Sequence, residues 1–274
     1  MKCISASMVQ GFVAAIIALG SSGAQAISPE ESDPEKIVEA ASKGRRLAHA
    51  KSQISMTIRS DDGTQRRELT VWTLSDGNMQ KSRTIIESPA DLRGTAFLGF
   101  DYLDKGKRDE QWIYLPKLRK VSRIPSSGRG ESFAGSDFSY SDMASPVPDD
   151  YRFRMVAQEE SVDGDTCWVI EGLPANDRVA ENTGYERVVF WLSKEKLIVL
   201  RAKLQKRAEP QVKYLRVDDV RHLDSGWAPF VVQMRTLEGK RVVSETRLQV
   251  ERLDTSGDSI NPGDLTVQRL ESGR

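Results

Sequence analysis

Apolar and polar residues alternate with a period of two along much of this chain, and this pattern limits the fold more than any other feature. Such alternation is typical of β-strands with one apolar and one polar face. The apolar positions of the clearest segments are Ile54, Met56 and Ile58; Tyr151, Phe153 and Met155; Ile198, Leu200, Ala202 and Leu204; and Phe230, Val232 and Met234. Turn residues such as Asp61-Asp62-Gly63 join about a dozen such segments, without the helical crossovers that parallel strands need. The sequence therefore predicts a large antiparallel sheet.

One amphipathic helix precedes the predicted strands. Asp33 is suited to be its N-cap and Pro34 its first residue, and apolar residues recur at helical spacing from Ile37 to Ala48. One helix and one irregular segment are too little material to fill a curled sheet of about a dozen strands. The sheet therefore either closes into a barrel or keeps an apolar concavity, which would bind an apolar ligand.

We expect the concavity to be lined by the alternating residues of a few strands, including methionines that can repack around variable ligands. The predicted lining residues are Ile54, Met56, Ile58, Phe153, Met155, Phe230, Val232 and Met234. The irregular segment, residues 124–150, is rich in Gly, Pro and Ser but carries rings that a solvated loop would not need. Phe133, Phe138 and Tyr140 are its lid candidates, and one short helical turn is expected from Ser139 to Met143.

The first 26 residues have the pattern of a secretory signal peptide. Lys2 precedes an apolar run from Phe12 to Leu19, and Ala24-Gln25-Ala26 is a small-x-small cleavage site. The run is shorter than the roughly 20 residues needed to span a bilayer, which argues against a membrane anchor. We therefore predict cleavage after Ala26, export to the periplasm and one mature domain, residues 27–274. Cys167 is then the remaining cysteine, so the fold depends on its core rather than on a disulfide.

The residues that catalysis and metal binding require are scarce. His49 and His222 have no partner at metal-ligand spacing, and His49 is expected near the end of the opening helix, where the helix dipole favours a cation. The sequence has no GxxxxGK[ST] loop, and its carboxylates lie mostly in turns. Forty Lys and Arg residues balance forty Asp and Glu residues, which gives no overall attraction to nucleic acid. We therefore predict no enzyme activity, no cofactor, no metal site and no nucleic-acid partner.

One basic cluster has two interpretations. Its members are Lys117, Arg119, Lys120, Arg123 and Arg129. Basic side chains protect sheet edges against aggregation, which is the first interpretation. The second is contact with anionic lipid headgroups or with an acidic partner surface. The sequence alone leaves both open.

Three blocks of the sequence, in this order, resemble a bacterial family: residues 94–102 (GTAFLGFDY), 109–116 (DEQWIYLP) and 132–143 (SFAGSDFSYSDM). The chain is similar there to the LolA-like outer membrane lipoprotein-sorting proteins, which are related in fold to the periplasmic lipoprotein carrier LolA and its receptor LolB. The residues that match the family pattern are Asp109, Trp112, Tyr114, Pro116, Gly135, Asp137, Phe138 and Asp142. Ala134 and Ser122 depart from the pattern, since a larger apolar residue and a basic residue, respectively, are usual there.

The resemblance implies a mainly β fold, an unclosed antiparallel β-barrel or half-barrel. Its concave face would be covered by helices and lined by side chains that accept acyl chains. The resemblance also implies an RND-type inner-membrane exporter and an outer-membrane acceptor as partners. We therefore expect a periplasmic carrier of lipid or lipoprotein acyl chains. The alternatives are a lipid- or lipoprotein-sensing regulatory module on the same fold and a hydrolase of envelope lipids.

Overall fold

The computed structural model describes residues 27–43, 49–76, 79–102, 107, 109–143, 150–207, 209–223 and 226–271. The predicted signal peptide and its cleavage site, residues 1–26, lie outside these ranges. Within them, the dominant element is one antiparallel sheet of thirteen strands. The strands are β1 (His49–Ser60), β2 (Gly63–Asp76), β3 (Met79–Ser88), β4 (Ala96–Tyr102), β5 (Glu110–Leu115), β6 (Lys120–Arg123), β7 (Tyr151–Val162), β8 (Asp165–Pro174), β9 (Tyr185–Ser193), β10 (Val199–Lys206), β11 (Gln211–Leu223), β12 (Gly226–Glu238) and β13 (Arg241–Asp254).

The strand order across the sheet is β6-β5-β4-β3-β2-β1-β13-β12-β11-β10-β9-β8-β7. The first and last strands therefore pair in the middle, while β6 and β7, consecutive in sequence, form the two opposite edges. Because these edges are not paired with each other, the sheet is an unclosed half-barrel. This confirms the fold that the family resemblance implies, and it decides the choice between a closed and an open sheet that the alternation pattern left open.

The positions of the two edge strands determine the course of the chain between them. β6 ends at Arg123 and β7 begins at Tyr151 on the far edge, so the connection has to span the width of the sheet. We call residues 124–150 the crossing segment; the structure describes it at 124–143 and at 150. A 3₁₀ turn at Ser141–Met143 confirms the short helical turn predicted there.

Helix α1 (Pro34–Lys43) precedes the sheet. Asp33 Oδ1 accepts a hydrogen bond from Glu35 N at 3.0 Å, which confirms the predicted start of the helix. The expectation that His49 lies near the end of this helix is wrong. His49 begins β1 and pairs with Leu74 of β2, because backbone pairing in the sheet outweighs a local helical spacing.

In the described ranges, two further helices and several 3₁₀ turns lie outside the sheet. Helix α2 (Asp177–Thr183) joins β8 to β9, and Asn176 Oδ1 caps it by accepting a hydrogen bond from Val179 N at 3.1 Å. Helix α3 (Val267–Glu271) follows β13. Of the helices in the described ranges, none has the length and apolar character needed to cross a membrane.

Apolar residues lie on both faces of the sheet. We call the face that carries α1 and the crossing segment the inner face; it holds the largest apolar cluster, which includes Ile37 of α1 and Phe138 of the crossing segment. On the other, outer face, Leu270 of α3 packs in a second cluster with Leu98 of β4. A third, smaller cluster surrounds the buried free thiol of Cys167. The inner face is therefore covered by α1 and the crossing segment, whereas α3 covers part of the outer face.

Candidate functional site

The inner face carries all of the residues predicted to line a concavity. The eight residues belong to one continuous apolar cluster together with Ile37 and Val38 of helix α1. Six of them are buried, whereas Phe153 and Met155 on the edge strand β7 are partly exposed. The sequence pattern thus places these side chains on a common face, and their contact with a ligand stays a prediction. A ligand on this face has to displace part of its cover, because most of the surface is packed.

The lid candidates of the crossing segment contact the inner face. Phe133 and Phe138 are buried and Tyr140 is partly buried. Phe97 of β4 meets Phe133 edge to face and stacks on Tyr140, with ring centroids 5.8 Å apart in both pairs. The three rings therefore form part of the cover, and their movement as a lid stays a prediction.

A buried carboxylate holds the middle of the crossing segment to the sheet. Asp137 accepts hydrogen bonds from the hydroxyls of Thr236 at 2.5 Å, Thr246 at 2.6 Å and Ser244. The Asp137 N–H donates to Thr246 Oγ1 at 2.9 Å, and the Asp137 carbonyl accepts from Lys213 Nζ at 2.5 Å. The carboxylate can be buried because both of its oxygens have hydroxyl donors.

A second carboxylate anchors the crossing segment beside β9. Asp142 accepts hydrogen bonds from Ser139 N and Ser139 Oγ, both at 2.8 Å, and from the Tyr185 hydroxyl at 2.9 Å. Burial, and then the charge of Asp142, raise the pKa of Tyr185 well above its usual value, so this hydroxyl remains a donor. Ser141 Oγ adds a hydrogen bond to the carbonyl oxygen of Thr183 at 3.1 Å. The family-pattern residues Asp137 and Asp142 therefore act here as anchors of the cover.

The third anchor lies near the β6 edge. Arg129 Nη2 donates to the backbone carbonyl of Asp109, and Gln111 Nε2 donates to the Tyr140 carbonyl at 3.0 Å. Burial, and next the charge of Asp101, raise the pKa of the Asp109 carboxyl to about 8. Near neutral pH this carboxyl is therefore largely protonated in the folded protein.

The predicted basic cluster does not form a single surface. Lys117, Arg119, Lys120 and Arg123 are exposed on or beside β6, at one edge of the sheet. Arg129 is instead turned toward Asp109, and burial lowers the pKa of its guanidinium. The location of the four exposed residues favours the interpretation that they protect the sheet edge.

Other residues of the family pattern lie away from the inner face. Trp112 and Tyr114 of β5 are partly buried in the outer cluster under the C-terminal residues. Pro116 begins a 3₁₀ turn that leads into β6. Trp112 and Tyr114 therefore serve the packing of the outer cluster, which is the usual role of large rings on a β-strand.

The crossing segment reverses direction at Ala134 and Gly135, where φ is +51° and +74°. Ser136 N closes this turn by donating to the Phe133 carbonyl at 2.9 Å. Glycine adopts positive φ without strain, which gives a physical reason for Gly135 in the family pattern. The turn brings Gly135 beside β2, where a side chain at this position would come within 3.6 Å of Arg67 Nη2.

Arg67, a charged residue of the inner face, was not predicted from the sequence. It lies opposite Met56 in the register of β1 and β2, and it is 7% exposed. The next inner-facing residues of β2 are Leu69 and Val71, both buried in the inner cluster. A charge at an alternating position of an otherwise apolar strand face was the signal that could have found it.

A groove of about 510 Å³ lies on the outer face, over β9 to β13 and beside the end of β7. Arg201, Arg216 and Arg235 line it together with the exposed Tyr214. Each of these arginines is paired with a carboxylate, as Arg235 is with Glu245. The charges of the groove are therefore compensated, and apolar side chains such as Trp191, Leu237 and Val242 line it beside the arginines.

An unclosed antiparallel sheet with a helix and a crossing segment over one face is a LolA-like fold, and solved structures share it. The chain is similar to a domain named for outer membrane lipoprotein sorting from Vibrio parahaemolyticus, with a TM-score of 0.75 and 25% identity over 86% of this chain and 97% of that one. A DUF1329 family protein from Desulfovibrio piger gives a TM-score of 0.73 and 25% identity over 82% and 92% of the two chains. A LolA superfamily protein from Nitrosomonas europaea gives 0.58 and 17% over 94% and 98%.

A family model described as an uncharacterized protein matches residues 78–272, and the chain belongs to that family. The match covers β3 through α3 and includes the whole crossing segment. No curated protein sequence matches the chain. The family and the fold are therefore established by the family model and the solved structures together.

Proposed function

We propose that this protein carries the acyl chains of a lipid or lipoprotein on its inner face, without changing them chemically. The observation that carries the proposal is the continuous apolar cluster of the inner face, covered by a segment that is held by a few buried polar groups. The name of the Vibrio parahaemolyticus domain, which refers to lipoprotein sorting, supports the same class of ligand.

An acyl chain needs such protection because exposing it to water costs about 0.8 kcal/mol for each CH₂ group. Binding begins, in this proposal, at Phe153 and Met155, because these are the partly exposed members of the predicted lining. Helix α1 lies close by, and Phe153 N donates to Glu35 Oε1 at 3.4 Å. The chain then extends along the inner face as the crossing segment gives way.

The cellular setting belongs to the same proposal. The predicted signal peptide would be removed after Ala26 and the mature protein would act in the periplasm. An RND-type exporter in the inner membrane would supply the cargo, and an acceptor in the outer membrane would receive it. The family resemblance supports both partners, and cross-linking in intact cells tests them.

Lipid extraction from the purified mature protein tests whether a cargo is bound. Phe153→Asp should remove most of the copurifying lipid, because a charge is placed in the partly exposed part of the lining. Val156→Asp is the matched control, since Val156 lies on the same strand and is 46% exposed. If both variants fold and retain as much intact lipid as the wild type, the inner face is not the binding surface.

Transfer of labelled lipid between vesicles distinguishes a carrier from a sensor. A carrier should move label from donor to acceptor vesicles in proportion to its concentration, and mass spectrometry should find the lipid intact. Binding without transfer, or cleaved lipid products, would contradict the proposal.

A further inference from the structure

Arg67 is a buried charge of the inner face that neither an apolar ligand nor the anchors of the crossing segment explain. Arg67 of β2 is 7% exposed and lies between Met56 of β1 and Gly135 of the crossing segment. Burying a guanidinium is unfavourable unless its donors find acceptors. The hydrogen-bond partners of the Arg67 guanidinium therefore indicate the role of this residue.

Most of the hydrogen-bonding capacity of Arg67 is unused. Nη2 donates to Gln65 Oε1 at 2.9 Å, whereas Nε and Nη1 are buried without a hydrogen-bond partner in the part of the chain that the structure describes. Desolvation lowers the pKa of the guanidinium, and the charge of Asp91 opposes this effect. Asp91 acts on Arg67 through its charge, whereas the side-chain hydrogen bond that the structure describes for Arg67 goes to Gln65.

The surroundings of Arg67 change from polar to apolar along one strand. Gln65, the preceding inner-facing residue of β2, is exposed, while the following ones, Leu69 and Val71, are buried in the inner cluster. Gly135, which packs beside the guanidinium, is also exposed. A molecule with an anionic head and an apolar tail fits this gradient, with the head near the surface and the tail along the inner face.

We propose that Arg67 binds the carboxylate or phosphate of an anionic lipid whose acyl chain occupies the inner face. A guanidinium presents a planar set of donors that matches these anions, and the unused Nε and Nη1 supply them. This proposal rests on the proposed carrier function and specifies its ligand as an anionic lipid rather than an uncharged acyl chain.

Matched ligands test the charge at the head. Dodecanoate and dodecanol have the same chain length and differ in the carboxylate. Displacement of an uncharged pyrene-labelled alkyl chain from the purified full-length mature protein measures both affinities. We expect dodecanoate to bind at least about tenfold more tightly than dodecanol, the size of a charge-assisted hydrogen bond.

Substitutions at position 67 test whether the guanidinium gives this preference. Arg67→Met should lower the affinity for dodecanoate to that for dodecanol and leave dodecanol unchanged, while Arg67→Lys should keep part of the preference. Arg66→Met is the control, because Arg66 is the adjacent exposed arginine. Thermal unfolding of each variant checks that it is folded. If folded Arg67→Met keeps the wild-type preference, the assignment of Arg67 is wrong.

The outcomes separate this proposal from the carrier function. If the wild type binds neither ligand, the carrier function fails; if it binds both equally, the carrier function stands and the anionic site fails. Inorganic phosphate provides the remaining arm. Phosphate could bind the wild type but not Arg67→Met, without displacing the alkyl chain. That result would assign Arg67 to a site for a free anion and would contradict its role in binding a lipid headgroup.

Discussion

The two faces of the sheet are covered in different ways. On the inner face, the crossing segment is fixed through the carboxylates of Asp137 and Asp142, which accept hydrogen bonds from hydroxyl and backbone donors. On the outer face, residues 260–271 are held mainly by apolar packing, with Leu265 and Leu270 buried against Leu98. The inner cover therefore combines buried carboxylate anchors with the apolar packing of Phe133 and Phe138, whereas the outer cover combines apolar packing with a hydrogen bond from Arg83 Nη1 to the Asp264 carbonyl at 3.0 Å.

This difference affects how each cover can be released. Apolar packing is lost in proportion to the area exposed, whereas a polar anchor requires a particular geometry and can exchange its partner for water. Release of the inner cover therefore requires both that its carboxylates exchange their donors for water and that Phe133 and Phe138 leave the apolar cluster. The inner cover thus depends more on specific hydrogen-bond geometry, and the outer cover depends more on buried apolar area.

Asp137→Ala should have the largest effect on stability, because it removes a carboxylate that anchors the crossing segment to the sheet. The substitution leaves the hydroxyls of Thr236, Ser244 and Thr246 without their acceptor, so the free energy of unfolding should fall by about 4 kcal/mol. Urea denaturation measures the change. Asp62→Ala, in an exposed turn, is the control and should change stability by less than about 0.5 kcal/mol. Equal effects of the two substitutions would mean that the polar anchor does not hold the cover.

Leu270→Ala should break the outer attachment. Removing a fully buried leucine should lower the free energy of unfolding by about 3 kcal/mol and make residues 260–271 sensitive to limited proteolysis. Lipid binding should be preserved, because the inner face is not involved. Leu118→Ala, at a position that is 66% exposed, is the control. Loss of lipid binding in folded Leu270→Ala would show that the two covers are coupled.

Asp109→Asn should change the pH dependence of the free energy of unfolding. Asp109 lies at the β6 end of the inner cover. Burial and Asp101 raise the pKa of Asp109 from 3.8 to about 8, so between these values the folded protein holds a proton that the unfolded chain releases. This group therefore lowers stability by about 1 kcal/mol per pH unit as the pH rises toward 8, and its effect levels off above that value.

Urea unfolding at pH 6 and pH 8 compares the two proteins, and the wild type should lose more stability than Asp109→Asn over this interval. Glu110→Gln, a substitution of the neighbouring carboxylate that pairs with the exposed Arg123, is the control. Identical pH dependence of the wild type and Asp109→Asn would contradict the raised pKa.

Arg67→Met should have the smallest effect on stability, and it should stabilise the protein rather than destabilise it. Replacing a buried guanidinium that has unpartnered donors by an apolar side chain should raise the free energy of unfolding of the ligand-free protein by about 1 kcal/mol. Thermal and urea unfolding measure it, with Arg66→Met as the control. A loss of stability would mean that Arg67 supports the inner cover instead of being held for a ligand.

Local patterns predicted the strands, the start of helix α1 and a short helical turn within Ser139–Met143, because each depends on neighbouring residues. They failed at His49, where pairing with Leu74 decides the conformation. Arg129 was grouped with four nearby basic residues, yet the fold turns it toward Asp109. Most partners of the anchors could not be predicted, since Thr246, for example, is 109 residues from Asp137 in sequence. Arg67 was missed because its burial depends on the crossing segment.

The sequence by itself determined an antiparallel sheet with an apolar face, since alternation and turn residues act over a few positions. The tertiary structure alone decided that β1 pairs with β13 and that β6 and β7 lie at opposite edges. This strand order makes residues 124–143 cross the inner face, and it brings Asp137 to the hydroxyls of β12 and β13. The physical reason is that pairing between distant strands is chosen by the summed packing and hydrogen bonding of the whole sheet, which no local pattern contains.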